Sequence, residues 1–447
     1  MEVARQACDG ILSFGSKFVI LGLSTVVETG LHILHIMEEK GMLYGSSSVQ
    51  LLGSETLTAA GVSPYKPSDG LPVGVQKFLP STAGRLLPNF EEMWYNLTTD
   101  DVYGNAATER YMLDQMLLPL SAADSPPVTD ATFQESFLND DILVWAPFIF
   151  DAAYTYIFAI NELLHSGMPP SEIRGDVLLQ ALRQVTFEGV TGRIEFDQFG
   201  DRFGDWELHN TWPVPTAPDD PSTPTVWVHI GDFDSNSGIL HTHLTPRWAP
   251  LGVNQSMPSE ALFECTTGFE KDIANNLCVR CRPGIGCGYS PELGFPIGVA
   301  PPITDLLQEY LATVVAFDLD FRKNFEPEIR ERFGPPVIDL GEIHPDLKIK
   351  LQIGTSDDSA SVGLNTALDW FQGNGDFSRI AGLVFGLRSS VTLPVASSAS
   401  AFEVPMIGFG ATSPALSDKA QYRYFSRVVA PDLLQGRAMF AWMQSFQ

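Results

Sequence analysis

Short apolar runs and longer amphipathic runs alternate along this chain. Ser16 to Leu23 ("SKFVILGL") is a nearly continuous apolar run bounded by small residues, the pattern of a strand covered on both faces. Thr29 to Gly41 ("TGLHILHIMEEKG") has helical spacing and a glycine stop, and Ser48 to Ser54 ("SVQLLGS") predicts the next strand. Helices are predicted at Asp151 to Gly167 and Gly175 to Phe187. Thr191 to Arg202 ("TGRIEFDQFGDR") predicts a strand followed by a turn, and Thr225 to Phe233 ("TVWVHIGDF") a further strand.

A Pro-rich, polar stretch then interrupts the alternation, which resumes after Pro301. Leu347 to Asp357 predicts a strand and Ile380 to Ser390 a strand leading into a turn, with a glycine-stopped helix at Ala360 to Gly375 between them. Val391 to Ala411 holds a helix and then a strand, and Asp432 to Phe446 a last helix. Repeated βα units predict an α/β fold, with parallel sheets covered by helices on both faces. In such folds ligands bind at the carboxyl ends of the strands.

Composition narrows the function. At 447 residues and 44% hydrophobic, the chain can form two or three domains with real cores. Its net charge of −27 argues against nucleic acid or an anionic membrane surface as partner. No run is long and apolar enough for a membrane span, and the first twenty residues lack an export-signal pattern.

Four of the five cysteines, Cys265, Cys278, Cys281 and Cys287, cluster in a Gly-rich segment. Such a segment cannot bury enough apolar surface by itself, so two disulfides are expected; a zinc site is the alternative, because C-x2-C is also a metal-ligand spacing. Asn96 and Asn254 begin glycosylation sequons, consistent with export. Cys8 is left over, and a buried free thiol is its expected state. His32, His35 and Glu39 are expected on an amphipathic surface helix, Asp232 to Gly238 in a turn, and His241 and His243 on an ordinary strand. There is no phosphate loop, no nucleophile elbow and no catalytic constellation, so no enzyme and no cofactor is expected.

Several stretches resemble one family. "GLRSSVTLPVA", "MIGFGATSPALSD", "YRYFSRVVAPDLLQGRAM", "DAAYTYIFAINELL" and "LLQALRQVTFEGVTGRIEFDQFGDR" are similar to the extracellular ligand-binding domain of class C G-protein-coupled receptors, which include the metabotropic glutamate and GABA-B receptors. The resemblance touches most of residues 1–240 and 302–447. It implies a two-lobed clamshell of the type I periplasmic-binding-protein kind. The order of the pieces differs from the family's: lobe 1 motifs that open the family's domain here stand near the C-terminus. The chain thus reads as a piece of a tandem array or as a circular permutation. On this reading 1–245 is the later part of a clamshell, with 1–125 and 206–245 in lobe 2 and 130–205 in lobe 1. Residues 246–301 are linker and cysteine-rich module, and 302–447 begin a lobe 1.

The resemblance also implies a site. Ser389 or Ser390, with Thr412, would hold an amino acid's carboxylate, using hydroxyls and N–H groups of strand–helix turns. The Thr412 hydroxyl and the Gly410 carbonyl would meet its ammonium, beside Ala411, with Glu55 facing it from lobe 2. Val177 stands where glutamate receptors carry a lysine for the distal carboxylate, and Arg174 is near but off that position. The expected function is an extracellular, plasma-membrane receptor module for a small amino-acid-like ligand, its parent membrane-anchored and dimeric through lobe 1. The alternative is an adhesive repeat of clamshells that has lost its ligand.

Overall fold

The computed structural model describes residues 2–14, 18–21, 36–37, 39–42, 50–53, 74–106, 108, 145–213, 225–235, 237–247, 295–300, 307–356, 359–373 and 379–444. In chain order the elements run α1 (Glu2–Phe14), β1 (Phe18–Leu21), β2 (Gln50–Gly53), β3 (Gln76–Pro80), α2 (Leu87–Tyr95), α3 (Thr99–Tyr103), α4 (Ala146–His165) and α5 (Gly175–Gln184). They continue with β4 (Phe187–Gly189), β5 (Gly192–Ile194), β6 (Trp206–Pro213), β7 (Thr225–Asp234), β8 (Ile239–Thr242) and β9 (Phe295–Ala300). Then follow α6 (Leu307–Arg322), α7 (Pro327–Phe333), β10 (Ile349–Ile353), α8 (Ala360–Gln372), β11 (Gly382–Phe385), α9 (Ser389–Phe402), β12 (Met406–Gly408), β13 (Phe425–Arg427) and α10 (Asp432–Gln444). Among the described residues no helix is long and apolar enough to cross a membrane.

The chain divides into two compact units. Met1–Ser81, Asp205–Asn275 and Leu433–Gln447 form the first; Thr82–Gly204 and Asn276–Asp432 form the second.

The second unit is built on a five-stranded sheet in the order β10-β9-β11-β12-β13, parallel throughout. Residues of β11, β12 and β13 are all buried, as a sheet covered on both faces requires. α8 and α9 pack on one another, and their core holds Trp370, Phe371, Phe385, Val395 and Phe425. α8 ends as its sequence predicts, at Gly373 in the left-handed region with φ 68°. α4 is almost wholly buried. From it the Tyr156 hydroxyl donates to the Pro405 carbonyl at 2.7 Å and accepts from Leu383 N–H at 3.0 Å. Gly382 leaves room for that ring, since a Cβ there would stand 2.2 Å from Tyr156 Cε1.

The first unit holds a six-stranded sheet, β1-β2-β3-β6-β7-β8. Here the expectation of parallel sheets is corrected. β1, β2 and β3 are parallel, whereas β6, β7 and β8 are antiparallel to their neighbours. The connections explain it: β7 and β8 are joined by a hairpin turn, too short for the helical crossover a parallel pair needs. The cysteine cluster, Glu55, Asn254 and the predicted helix over His32 and His35 lie outside the described residues.

Candidate functional site

In the second unit, the sheet order 10-9-11 places β9 between the strand that follows it and the strand after that. The chain leaves β9 toward one side and returns on the other. That is a topological switch, and the carboxyl ends of β9 and β11 flank it.

At the end of β11 the chain turns at Gly386, with φ 106°. A Cβ there would lie 2.4 Å from Thr392 Oγ1, so the position requires glycine on both counts. The turn delivers the chain to α9, which begins at Ser389 rather than near Val391 as the sequence suggested. The Arg388 carbonyl closes the first turn, accepting from Val391 N–H at 3.1 Å, Thr392 N–H at 2.9 Å and the Thr392 hydroxyl at 2.8 Å. Ser389 and Ser390 are therefore first-turn residues, whose N–H groups have no intrahelical acceptor. Ser390 is exposed and Ser389 half-buried.

The loop after β12 lies beside this turn. Gly410 N–H and Ala411 N–H both donate to the Gly386 carbonyl, at 3.0 and 3.1 Å. Ser413 N–H donates to Ser389 Oγ at 3.2 Å, which leaves the Ser389 hydroxyl hydrogen available for an acceptor. Thr412 is buried, and its carbonyl accepts from Asp432 N–H at 2.9 Å. Ser389, Ser390, Gly410, Ala411 and Thr412 thus share one end of the sheet, while Glu55 lies outside the described residues. The N–H groups of Gly410 and Ala411 are already engaged, so what this face offers an anion is the first turn of α9 and the hydroxyls.

A buried ion pair shapes the loop. Arg427, fully buried on β13, donates to Asp201 from Nε at 2.8 Å and from Nη2 at 3.2 Å. Its Nη1 reaches the carbonyls of Ala411 (3.0 Å) and Ser413 (2.9 Å), and Nη2 also reaches Ser417 Oγ at 2.6 Å. Burial pushes the Asp201 carboxyl up, but the charge and hydrogen bonds of Arg427 outweigh it and leave the group below its ordinary value. Lys419, on the same loop, donates to the Leu416 and Phe425 carbonyls, each at 2.9 Å. Burial brings its pKa down to about 7, against the opposing pull of Asp201.

A second buried carboxylate stands behind. Asp151 of α4 accepts from Val190 N–H at 2.8 Å, from Thr191 N–H at 2.9 Å and from the Thr191 hydroxyl. Arg202 Nη1 donates to that hydroxyl oxygen at 2.6 Å and to the Val428 carbonyl at 3.0 Å. Burial raises Asp151 to about 6 although Arg202 pulls the other way. Sequence reasoning passed over Arg427, Asp201 and Asp151. The signal was present: a charge inside an apolar strand or helix has to be paired.

Near the position of the absent distal lysine, Val177 is half-buried on α5. The neighbouring Asp176 accepts from Arg423 Nη2 at 2.9 Å and from the Tyr424 hydroxyl at 2.8 Å. Arg174 precedes the helix as its N-cap residue and is exposed.

A covered parallel sheet with hydroxyl and N–H donors at its strand ends places the second unit in the α/β class. Residues 82–211 and 340–447, together more than half of the chain, match the receptor family ligand binding region, and the chain belongs to that family. It is also similar to metabotropic glutamate receptor 8 of Homo sapiens, 43% identical over 61 residues, which cover 14% of this chain and 7% of that protein. The receptors of the same name from Mus musculus and Rattus norvegicus match over the same extent. The chain therefore spans only about 7% of the length of these curated relatives. Both comparisons bear out the resemblance to the class C receptor ligand-binding domain.

Proposed function

We propose that the chain is an extracellular ligand-binding module of a class C receptor-like protein, and that its second unit is the lobe that grips an amino-acid-like ligand by its main-chain end. The observation that carries this is the junction of the two strand-end loops. Ser389 Oγ holds Ser413 N–H, Gly386 holds Gly410 and Ala411, and donors are left at the start of α9. A carboxylate suits that place, because N–H groups and the positive end of the helix converge on it. The clamshell, the binding of Glu55 to an ammonium, the paired cysteines and the membrane-anchored parent belong to the same proposal.

Heat-flow titration of the chain with glutamate, GABA and the common amino acids tests it. Saturable binding is expected with at least one. Ser389→Ala with Thr412→Ala is expected to weaken it between tenfold and a hundredfold, the loss of about 1.5–3 kcal/mol from hydrogen bonds to a charged group. Heat from none of them sinks the proposal. It would favour a clamshell repeat with a structural role, for which Val177 and the engaged N–H groups of Gly410 and Ala411 also speak.

A further inference from the structure

The antiparallel half of the first unit's sheet carries chemistry that the ligand site does not use. Along β6 the buried residues Trp206, Leu208 and Asn210 alternate with the half-buried Glu207 and His209, which share the outer face. β7 pairs with β6 in a register that slips between Leu208 and His209: Leu208 faces Gly231, but His209 faces His229. Ile230 is the extra residue of a β-bulge. Burial follows the slip, since Ile230 and Gly231 are both buried, between exposed His229 and half-buried Asp232.

The bulge matters because strand side chains alternate with period two. Without it, residues three apart would stand on opposite faces. With it, His229 and Asp232 stand on the same face. β8 adds to that face: Asp232 pairs with His241, and His243 follows two residues later. Four of the eight histidines of the chain therefore meet there, with Glu207 and Asp232 among them.

Three of these side chains converge. His229 Nε2 lies 2.8 Å from Asp232 Oδ1, and His243 Nε2 is hydrogen-bonded to Asp232 Oδ2. The ligand atoms of His229, Asp232 and His243 all lie within 4.8 Å of one another. Bonds of about 2.0–2.2 Å from a tetrahedral zinc ion place its ligand atoms roughly 3.4 Å apart, so small rotations of exposed side chains close the set. Each imidazole turns Nε2 toward one shared carboxylate, and a divalent ion can take the place of the two N–H hydrogens. A second layer is in place as well. His209 stacks on His229 with ring centroids 5.3 Å apart, and its Nε2 lies 3.0 Å from Glu207 Oε2. Backbone geometry holds the third ligand, since His243 N–H donates to the Ile230 carbonyl at 2.7 Å.

We propose that His229, Asp232 and His243 bind a divalent transition-metal ion of the zinc type, with water completing the coordination. Two imidazoles and a carboxylate form the donor set that suits such an ion, and a set without sulfur disfavours soft monovalent copper. The residue that joins His243 is His229 across the sheet, not His241 along the strand. The site lies in the first unit and is independent of the amino-acid proposal, so either can fail without the other.

The test uses the full chain, freed of metal with a chelator and titrated with Co²⁺ and then Zn²⁺. One Co²⁺ per chain is expected, with the visible bands of nitrogen and oxygen ligands, without intense thiolate-to-cobalt absorption, and displaceable by Zn²⁺. His243→Gln and His229→Gln should each weaken Zn²⁺ binding on the order of 100-fold or more, beyond what loss of an outer-shell partner produces. A variant with Cys278→Ser and Cys281→Ser should keep this binding, which separates it from any metal held by the cysteine cluster. The proposal is overturned if no Co²⁺ or Zn²⁺ is taken up, if the histidine variants bind as the parent does, or if only the cysteine variant loses the ion. Asp232→Asn provides a second variant should either histidine change disturb the fold, with the same expected loss.

Discussion

Replacing Arg427 by methionine isolates the pair that shapes the candidate ligand loop. Methionine keeps much of the volume and removes the charge and all five donor contacts: two to Asp201, one each to the Ala411 and Ser413 carbonyls, and one to Ser417. Asp201 is then a buried carboxylate without its partner, and breaking a buried pair from one side costs about 3–5 kcal/mol. Taking about 4 kcal/mol, amide exchange across 409–429 should speed up on the order of a thousandfold, at about 1.4 kcal/mol per factor of ten. The dependence on pH should change sign. In the parent, the Asp201 carboxyl is held below its ordinary value, so its stabilisation is present above the unfolded pKa and is lost as pH falls through the folded one. Without Arg427, only the Lys419 charge and the Ser417 hydroxyl still oppose burial, so that carboxyl moves up and the variant's deficit should shrink as pH is lowered from 7 toward 4. Adding Asp201→Asn should recover about 2 kcal/mol or more, because the orphaned charge is gone. Arg427→Lys should fall between, since an ammonium has three donors and no planar fork. Exchange accelerated less than tenfold in Arg427→Met, or a double variant no better than the sum of the singles, would refute the claim that this pair holds the loop.

Two further outcomes follow from the same unit. Asp151 is raised to about 6 in the fold from an ordinary 3.8, so its ionisation costs about 3 kcal/mol at neutral pH. That cost is absent below the unfolded value and complete above about 6, so this group favours the fold more as pH falls. Asp151→Asn turns an amide toward the Val190 and Thr191 N–H groups and should destabilise by about 2 kcal/mol at pH 7, with a deficit that grows between pH 6 and 4 in urea titrations. Gly386→Ala meets both a positive φ and Thr392 Oγ1 at 2.4 Å, and should cost at least about 2 kcal/mol in the same assay and abolish the proposed amino-acid binding in the calorimeter. An alanine variant of parent-like stability and affinity would show that the turn is not fixed as described.

The fold was legible where one pattern decides. α4, α8 and α9 and the strands after them carry long apolar or glycine-stopped runs, and packing agrees with pattern there. The mixed sheet was not read, although Trp206 to Asn210 alternates with period two, the signature of a one-sided antiparallel strand. The bulge at Ile230 has no local signal, because it depends on which residues of β6 lie opposite. The start of α9 was misplaced by two residues because Arg388 closes the first turn with its carbonyl, and that bond shows only in three dimensions. Of the candidate site, the hydroxyls were named by resemblance, whereas Arg427 and Asp201 were not named. Those two lie 226 residues apart in sequence, and their pairing is invisible until the chain is folded.

That separation bears on how the second unit comes to be one body. Its sheet is drawn wholly from residues 295–427, yet α4 and the turn that carries Asp201 come from the earlier segment. Apolar contact alone would join these pieces in many registers, because hydrophobic burial has no direction. The polar joints between them are specific. Tyr154 donates to Asp320 at 2.6 Å, Asn105 to Asp318 at 2.8 Å, and Asn161 accepts from His344 N–H at 2.9 Å. Arg332 binds Asp101 through both terminal nitrogens at 2.6 Å. Arg183 donates to the Arg423 carbonyl at 2.7 Å. Each joins a residue before 205 to one after 295, and the buried ones carry a penalty in any other arrangement, where their partners would be missing. The order of the pieces along the chain therefore matters less to this unit than the pairing of its segments. Segments far apart in the sequence can thereby build one packed unit.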